Sequence, residues 1–283
     1  MIFWIASYPK SGNTWLRALL SSYYYSEDGI FNQNLLQNIA QFPEKRHFSD
    51  FNYDRKIVTD TSKLWIKAQE KINRNNKLNY FKTHNILGSI NNSNFTNKKN
   101  TAGAIYIVRD PRNVLTSIQN HYELSKDEAL KFMLSEKKYI HNYHVKDDFS
   151  DFQFISSWEK NYKSWINQKI FPVKLIRYED LAIKTLEIFI EIIEFITTIA
   201  KEKNLLNKFK AHNCVESTNF ENMKNLEKNN GFLESVLSKN DSQKIPFFHL
   251  GPKNDWKSMF DKNYQEKLNI VFENNLKELD YLK

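Results

Sequence analysis

The sequence predicts an α/β fold: a single domain over residues 1–283, with a central parallel sheet flanked by helices. Three observations predict it. Short apolar or β-branched runs at residues 2–6, 79–83, 104–108 and 173–177 read as buried strands. The segments between them have room for helices, as parallel neighbours require. A polar residue follows the carboxyl end of each run (Lys10, His84, Arg109 and Tyr178 in turn), where ligands gather in such sheets.

Composition narrows the ligand. Hydrophobic residues make up 41% and aromatics 14%, which excludes a disordered chain, and 283 residues suffice for a large core. Lys and Arg number 41 against 33 Asp and Glu, a net charge of +8, which favours an anionic ligand. The basic residues are scattered without a long Lys/Arg block, so a small anion is expected rather than nucleic acid or a membrane surface. Cys214 is the single cysteine, so no intramolecular disulfide forms and it reads as a structural thiol. The N-terminus opens into a strand without a basic leader and cleavage site, and with the lone cysteine this predicts a cytoplasmic protein. The most apolar stretch, Leu186 to Ala200, carries Glu187, Glu191 and Glu194 on one helical face, so it predicts an amphipathic helix and no membrane insertion.

The first strand ends in Ser7-Tyr8-Pro9-Lys10-Ser11-Gly12-Asn13-Thr14-Trp15, and a helix over 13–25 follows with Trp15, Leu16, Leu19 and Leu20 on one face. Strand, short polar loop and helix aim backbone N–H groups and a helix dipole at an anion. Lys10 adds a point charge, and Gly12, lacking Cβ, admits close approach of the backbone to a ligand. The loop is not a Walker A sequence, in which Lys follows the second Gly. A plainer reading makes Ser11, Asn13 or Thr14 a helix cap. A helix at 61–74 precedes the second strand, which runs into Phe81-Lys82-Thr83-His84. The third strand ends in Arg109, and Pro111 starts a helix at 112–122 in which Ser117 lies. A guanidinium and a hydroxyl so placed can share one phosphate. Helices follow at 126–135 and 152–168, then the fourth strand and Arg177-Tyr178-Glu179-Asp180-Leu181, then helices at 184–203 and 261–277. Asn-rich stretches at 73–79, 91–100 and 222–230 read as surface loops, and the two N-x-[ST] matches beginning at Asn91 and Asn94 as chance. His141 and His144 read as a surface pair rather than metal ligands.

Tyr8 to Trp15 resembles the 5′-phosphosulfate loop of the sulfotransferases, of bacterial and cytosolic type, that use PAPS (3′-phosphoadenosine 5′-phosphosulfate). Val108 to Ser117 is similar to that family's 3′-phosphate motif, which implies that Arg109 and Ser117 bind the 3′-phosphate. Lys82-Thr83-His84 resembles its Lys-x-His, implying His84 as the base for the acceptor proton and Lys82 beside the transferring sulfonate. Arg177 to Leu181 resembles its Arg-Tyr-Glu-Asp-Leu, which puts Tyr178 and Trp15 on the adenine. His249-Leu250-Gly251-Pro252-Lys253-Asn254-Asp255-Trp256-Lys257 resembles its Arg-Lys-Gly-x-x-Gly-Asp-Trp-Lys. Gly251, Asp255, Trp256 and Lys257 match; His249 and Leu250 replace Arg and Lys, and Asn254 replaces the second Gly. The resemblance assigns His249, Leu250 and Gly251 to the nucleotide site, with two permanent charges fewer, and leaves Lys253 free to reach in. Asn254, tolerant of positive φ, is expected to keep the turn.

The resemblance implies an O-sulfotransferase with a P-loop nucleotide-binding-like fold. His84 takes the proton of an acceptor hydroxyl, PAP (adenosine 3′,5′-bisphosphate) leaves, and Lys10 stabilises the leaving charge with the loop of Ser11, Gly12, Asn13 and Thr14. It implies no metal. The acceptor is a small-molecule or glycan hydroxyl, with its pocket expected in 42–55, 139–155 and 232–248. The alternatives are a P-loop kinase or NTPase, with Asp110 as the one acid suited to Mg²⁺, and a non-catalytic nucleotide-binding protein of the same fold.

Overall fold

Ile2–Ser7 forms strand β1 and is buried at every position, because it lies between two parallel neighbours and has no solvent face. In the computed structural model, which describes residues 1–142, 145–201, 206–238 and 243–282, β1 pairs with β2 (Asn79–Thr83) on one side. It pairs with β5 (Thr101–Val108) on the other, and β8 (Val173–Arg177) adds to β5. The order is β2-β1-β5-β8, all parallel. Two short antiparallel pairs lie outside this sheet: β3 (Ser89–Ile90) with β4 (Ser93–Asn94), and β6 (Tyr139–Ile140) with β7 (Gln153–Phe154).

Period-two alternation divides the core. Ile2, Trp4, Ala6, Ala104, Tyr106 and Val108 face one side of the sheet, where α2 (Trp65–Asn73), α3 (Pro111–Tyr122), α4 (Lys126–Leu134) and α5 (Trp158–Ile166) contribute buried side chains. The C-terminal helices α11 (Lys262–Val271) and α12 (Glu273–Glu278) close that side. Phe3, Ile5, Ile105 and Ile107 face the other, covered by α1 (Asn13–Tyr25), α6 (Tyr178–Ile183), α7 (Thr185–Ala200) and α8 (Lys208–Ser217). Cys214 lies in this second core, and burial pushes its thiol up to about 12. Helix α9 (Phe220–Asn230) lies beyond the carboxyl edge of the sheet, and the short α10 (Trp256–Met259) packs on α3, its Trp256 N–H donating to Asn113 Oδ1 at 3.0 Å. No helix among the described residues is long and apolar enough to cross a membrane.

The strands stand where the sequence places them, with β1 and β5 slightly longer. Several helices differ. The helix expected at 152–168 begins only at Trp158, where the Ser157 hydroxyl accepts from the Lys160 N–H, and Gln153–Phe154 is strand. The stretch 222–230, expected as a loop, is the body of α9: Asn219 caps it and Met223 buries its apolar face, a pattern hidden by the Asn-rich composition. The helix expected at 261–277 breaks at Phe272, which turns into the core. That at 61–74 opens as a 3₁₀ turn over Asp60–Leu64. Helix α7 ends at Ala200, short of the expected 203, and residues 202–203 lie outside the described ones. Within 91–100, Phe95, Thr96 and Asn100 are buried, so this is no simple surface loop.

Candidate active site

Register brings the polar motifs to one edge. Ala6 pairs with Thr83, Ser7 with Ile107 and Val108 with Arg177. The next residues, Tyr8 to Thr14, His84, Arg109 and Tyr178, therefore leave the sheet at one level. A cavity of about 640 Å³ opens there, lined by Lys10, Gly12, Asn13, Thr14, Trp15, Lys82, His84, Arg109, Ser117 and Tyr178. His249, Leu250 and Gly251 line its other wall. Ser11 is the exception among the assigned residues: it is fully buried, does not line the cavity, and its hydroxyl has no partner among the described residues.

The loop is shaped by its own backbone. Lys10 has φ 66° and Gly12 φ 98°, both left-handed, and Gly12 stands at the start of α1. A Cβ on Gly12 would lie 2.5 Å from Cδ2 of Tyr178, so the close approach that requires glycine is to this ring. The Asn13 side chain is turned to the sheet, donating to the Ile5 carbonyl at 3.0 Å and to the Ser7 hydroxyl at 3.2 Å. It locks the loop to β1, a tie that the loop motif alone does not reveal. Lys10 Nζ lies 4.0 Å from the centre of the Phe247 ring, and burial lowers its pKa to about 8, with Arg109 adding to the effect.

His84 is held on every side but one. Its backbone N–H donates to Gln153 Oε1 at 2.7 Å, and its carbonyl accepts from Asn161 Nδ2 at 2.9 Å. Asn161 Oδ1 accepts from the Tyr106 hydroxyl at 2.7 Å, so a core tyrosine fixes the histidine's backbone. Nδ1 lies 2.8 Å from the Ser7 carbonyl. A carbonyl only accepts, so this bond assigns the proton to Nδ1 and leaves Nε2 with the free lone pair. Burial, reinforced by Lys82, lowers the imidazole to about 3, so the ring is neutral across the physiological range.

Arg109 and Ser117, eight positions apart, meet as the sequence implies: the guanidinium donates to the Ser117 hydroxyl at 3.4 Å. It also donates to the Lys10 carbonyl at 3.3 Å and lies 4.3 Å from the Tyr178 ring centre. Arg109 Nε is buried with no partner among the described residues, so this cation has unused donor capacity. Trp15 and Tyr178 stand edge to face, 5.8 Å apart.

The C-terminal wall departs from expectation. Asn254 has φ −70°, so no left-handed turn is needed where the second glycine is replaced. Its side chain donates to the Asn113 carbonyl at 3.0 Å and the Ser117 hydroxyl at 3.2 Å, and accepts from Thr116 at 2.8 Å. The left-handed residue is Gly251, φ 53°, where a Cβ would fall 2.2 Å from the Phe220 ring. Lys253 is exposed and does not line the cavity. Asp110 caps α3 and is clasped by Arg112 through Nε and Nη2 at 2.9 and 2.6 Å, which ties up the carboxylate considered for Mg²⁺. The described residues include no group of three or more His, Cys, Asp or Glu placed to hold a metal, and His144 lies outside them.

Glu234 is the residue the sequence does not announce. Its carboxylate accepts from the Thr14 hydroxyl at 2.5 Å, from Lys82 Nζ at 3.1 Å and from Arg17 Nη1. Burial opposes its charge, but Lys82 and Arg17 outweigh burial and hold the carboxyl well below the usual range. No local pattern could have found it, since its partners are 152 or more positions away in the chain. Of the segments expected to line an acceptor pocket, 139–155 contributes Ile140, His141, Asn142, Asp151 and Gln153, and 232–248 contributes Glu234, Val236, Phe247 and Phe248. The segment 42–55 contributes nothing there; Glu44, Lys45 and Arg46 line a second cavity of about 780 Å³.

The family model described as the sulfotransferase domain matches residues 2–280. Sulfotransferase 1A1 of Rattus norvegicus is 24% identical over 98% of this chain and 85% of its own. Sulfotransferase 1B1 of Canis lupus familiaris is 25% identical over 96% and 82%. Among solved structures, retinol dehydratase in complex with androsterone and the inactive cofactor PAP superposes with a TM-score of 0.59 at 16% identity, covering 98% of this chain and 80% of that one. The same protein with retinol and PAP gives a TM-score of 0.56 at 16% identity, covering 98% and 81%.

Proposed function

Because the chain belongs to the sulfotransferase domain family, we propose that residues 1–283 act as one domain that transfers the sulfonate of PAPS to the hydroxyl of a small molecule. One observation carries this reading. His84 presents its unprotonated Nε2 in the same cavity as Lys10, Lys82 and the Arg109–Ser117 pair, so a base and two anion-binding clusters face one space.

The residues present fit the nucleotide. Arg109 has a buried donor to spare, Trp15 and Tyr178 offer aromatic faces, and the carboxylate of Glu234 already sits among Thr14, Lys82 and Arg17 as an anion would. Arg109 and Ser117 hold the 3′-phosphate, with Gly251, Leu250 and His249 closing over it; Trp15 and Tyr178 hold the adenine. Ser11 is left out of the contact set, because it is fully buried and does not line the cavity. PAPS supplies the sulfonate and leaves as PAP. His84 Nε2 receives the proton of the acceptor hydroxyl, while Nδ1 stays bonded to the Ser7 carbonyl. Lys82 faces the sulfonate and Lys10, with the N–H groups of Gly12 to Thr14, the oxygen on which charge grows. Retinol dehydratase, a structural neighbour, binds the small molecules androsterone and retinol, which favours a small-molecule over a glycan acceptor.

Calorimetric titration with PAP, with AMP and ATP–Mg²⁺ as controls, tests the reading. Preference for PAP is expected. Tighter binding of ATP–Mg²⁺ would return the chain to the kinase or NTPase class. PAP binding without transfer of labelled sulfonate to any of a panel of phenols, sterols and sugars would leave a nucleotide-binding protein.

A further inference from the structure

We propose that Glu234 is a tethered anion seated where the co-substrate's phosphosulfate must lie, so that nucleotide enters only as the segment around Glu234 swings out. The inference rests on the sulfotransferase reading for the identity of the nucleotide, though the seat itself is a matter of geometry.

The seat converges three donors on one oxyanion. It offers a loop hydroxyl at the start of α1 (Thr14), a lysine at the end of β2 (Lys82) and a guanidinium one turn into α1 (Arg17). Arg17 is fixed by its own bonds to the Ile39 and Leu36 carbonyls, at 2.9 and 3.1 Å, so it is oriented before any ligand arrives. A carboxylate on a loop fills this seat from within. Two anions cannot share it, because they would need the same donors.

The loop bearing Glu234 has the anatomy of a moving part. It leaves α9 at Gly231, φ 71°, and is held at its base by Glu227, which accepts from the Phe247 and Phe248 N–H groups at 2.7 and 2.9 Å and from the Ser235 hydroxyl at 2.7 Å. Ladder-like bonds join Val236 to Ile245 and Ser238 to Gln243. Among the described residues no strand of the main sheet carries it; Phe232 anchors its start in a small core with Ala18, Phe31, Leu36 and Met223, and Leu233, beyond that anchor, is exposed. Glu234 also stands in the wall between the two cavities, both of which are lined by Gln41, Lys82, Asn142, Asp151 and Glu234. Withdrawal of the carboxylate therefore frees the anion seat and joins the two spaces beside His84.

A tethered competitor lowers apparent affinity by its local concentration and by the fraction of molecules in which it is seated. Wild type, Glu234→Gln and Glu234→Asp are titrated with PAP and with inorganic sulfate, and amide hydrogen exchange of residues 231–238 is followed in the wild type with and without PAP. Glu234→Gln is expected to tighten PAP by about tenfold and sulfate by a similar factor. Glu234→Asp keeps the charge but falls one methylene short of the seat, and tightens both by about threefold. Exchange at 231–238 rises when PAP binds, as the segment leaves its bonds. Unchanged or weaker binding in Glu234→Gln overturns the proposal. So does tightening in the Gln variant with none in Asp, which would mark a long-range charge effect. Exchange that stays constant or slows overturns it too, and this last measurement needs no variant to fold. Sulfate tightening without any PAP binding keeps the seat and sinks the co-substrate; PAP binding without tightening does the reverse.

Discussion

The floor and the cover of this cavity are built on opposite principles. The floor is the carboxyl edge of a parallel sheet, where Lys10, His84, Arg109 and Tyr178 each follow a strand and register fixes their relative positions. The cover, the described residues 231–238 and 243–257, has no ladder to the main sheet; it hangs from Glu227, from the buried Phe232, from the Asn254 bonds to α3 and from the Gly251–Phe220 contact. Chemistry on the floor is held by the backbone, whereas fit on the cover is set by individual side chains. Loss of a floor residue should therefore cost much of the turnover or of the co-substrate binding, and a change in the cover should adjust affinity by a smaller factor.

The largest effect expected tests the floor. His84→Ala should lower turnover by about 10²–10⁴-fold, the usual contribution of a general base, with PAP affinity nearly unchanged. A parallel loss of PAP binding would mean that the imidazole shapes the site instead. Lys10→Ala should reduce turnover by about 10²–10³-fold, as for an oxyanion donor, and affect PAP binding much less. Arg109→Ala should weaken PAP by about ten- to a hundredfold, the range for a lost charge-assisted bond, and AMP, which lacks the 3′-phosphate, far less. Equal losses for both nucleotides would remove Arg109 from the 3′-phosphate.

The pH profile sharpens the same contrast. Burial lowers Lys10 to about 8, so the free enzyme loses this positive charge as pH rises, and kcat/KM should fall above about pH 8. Burial lowers His84 to about 3, so it is already in its proton-accepting form at pH 5, and no acid limb near 6.5 should be seen. An acid limb there would show that the imidazole ionises in the working enzyme. The smallest effect belongs to the cover: joint replacement His249→Arg and Leu250→Lys should tighten PAP by roughly three- to tenfold through two added cations at a partly solvated rim. No change would put the pair away from the phosphate.

Sequence made the floor legible because each of its residues is adjacent to a strand, and strands announce themselves as apolar runs of limited length. The Arg109–Ser117 pair was readable for a similar reason: both lie on one short strand-to-helix passage. What the chain concealed depends on distant partners. The bond between Nδ1 of His84 and the Ser7 carbonyl, the support of that histidine by Asn161 and Tyr106, and the clasp of Glu234 all join positions far apart. Asn254 misled through propensity, since its tolerance of positive φ proved irrelevant beside the three hydrogen bonds that its amide makes. Helix α9 was hidden by its Asn content, because only one of its residues is deeply buried and so little periodicity shows.

The sealed thiol of Cys214 has a practical consequence. It is the only cysteine of the chain, has no exposed surface, and ionises only near pH 12, so maleimides and disulfide reagents should leave the native protein untouched. A single new cysteine at the exposed position 233, introduced as Leu233→Cys, would then carry a fluorophore at one defined place without any need to strip the background. The chain comes ready for stopped-flow recording of its own cover, in which the dye's signal, timed against nucleotide mixing, would separate the swing of the segment from the chemistry beneath it.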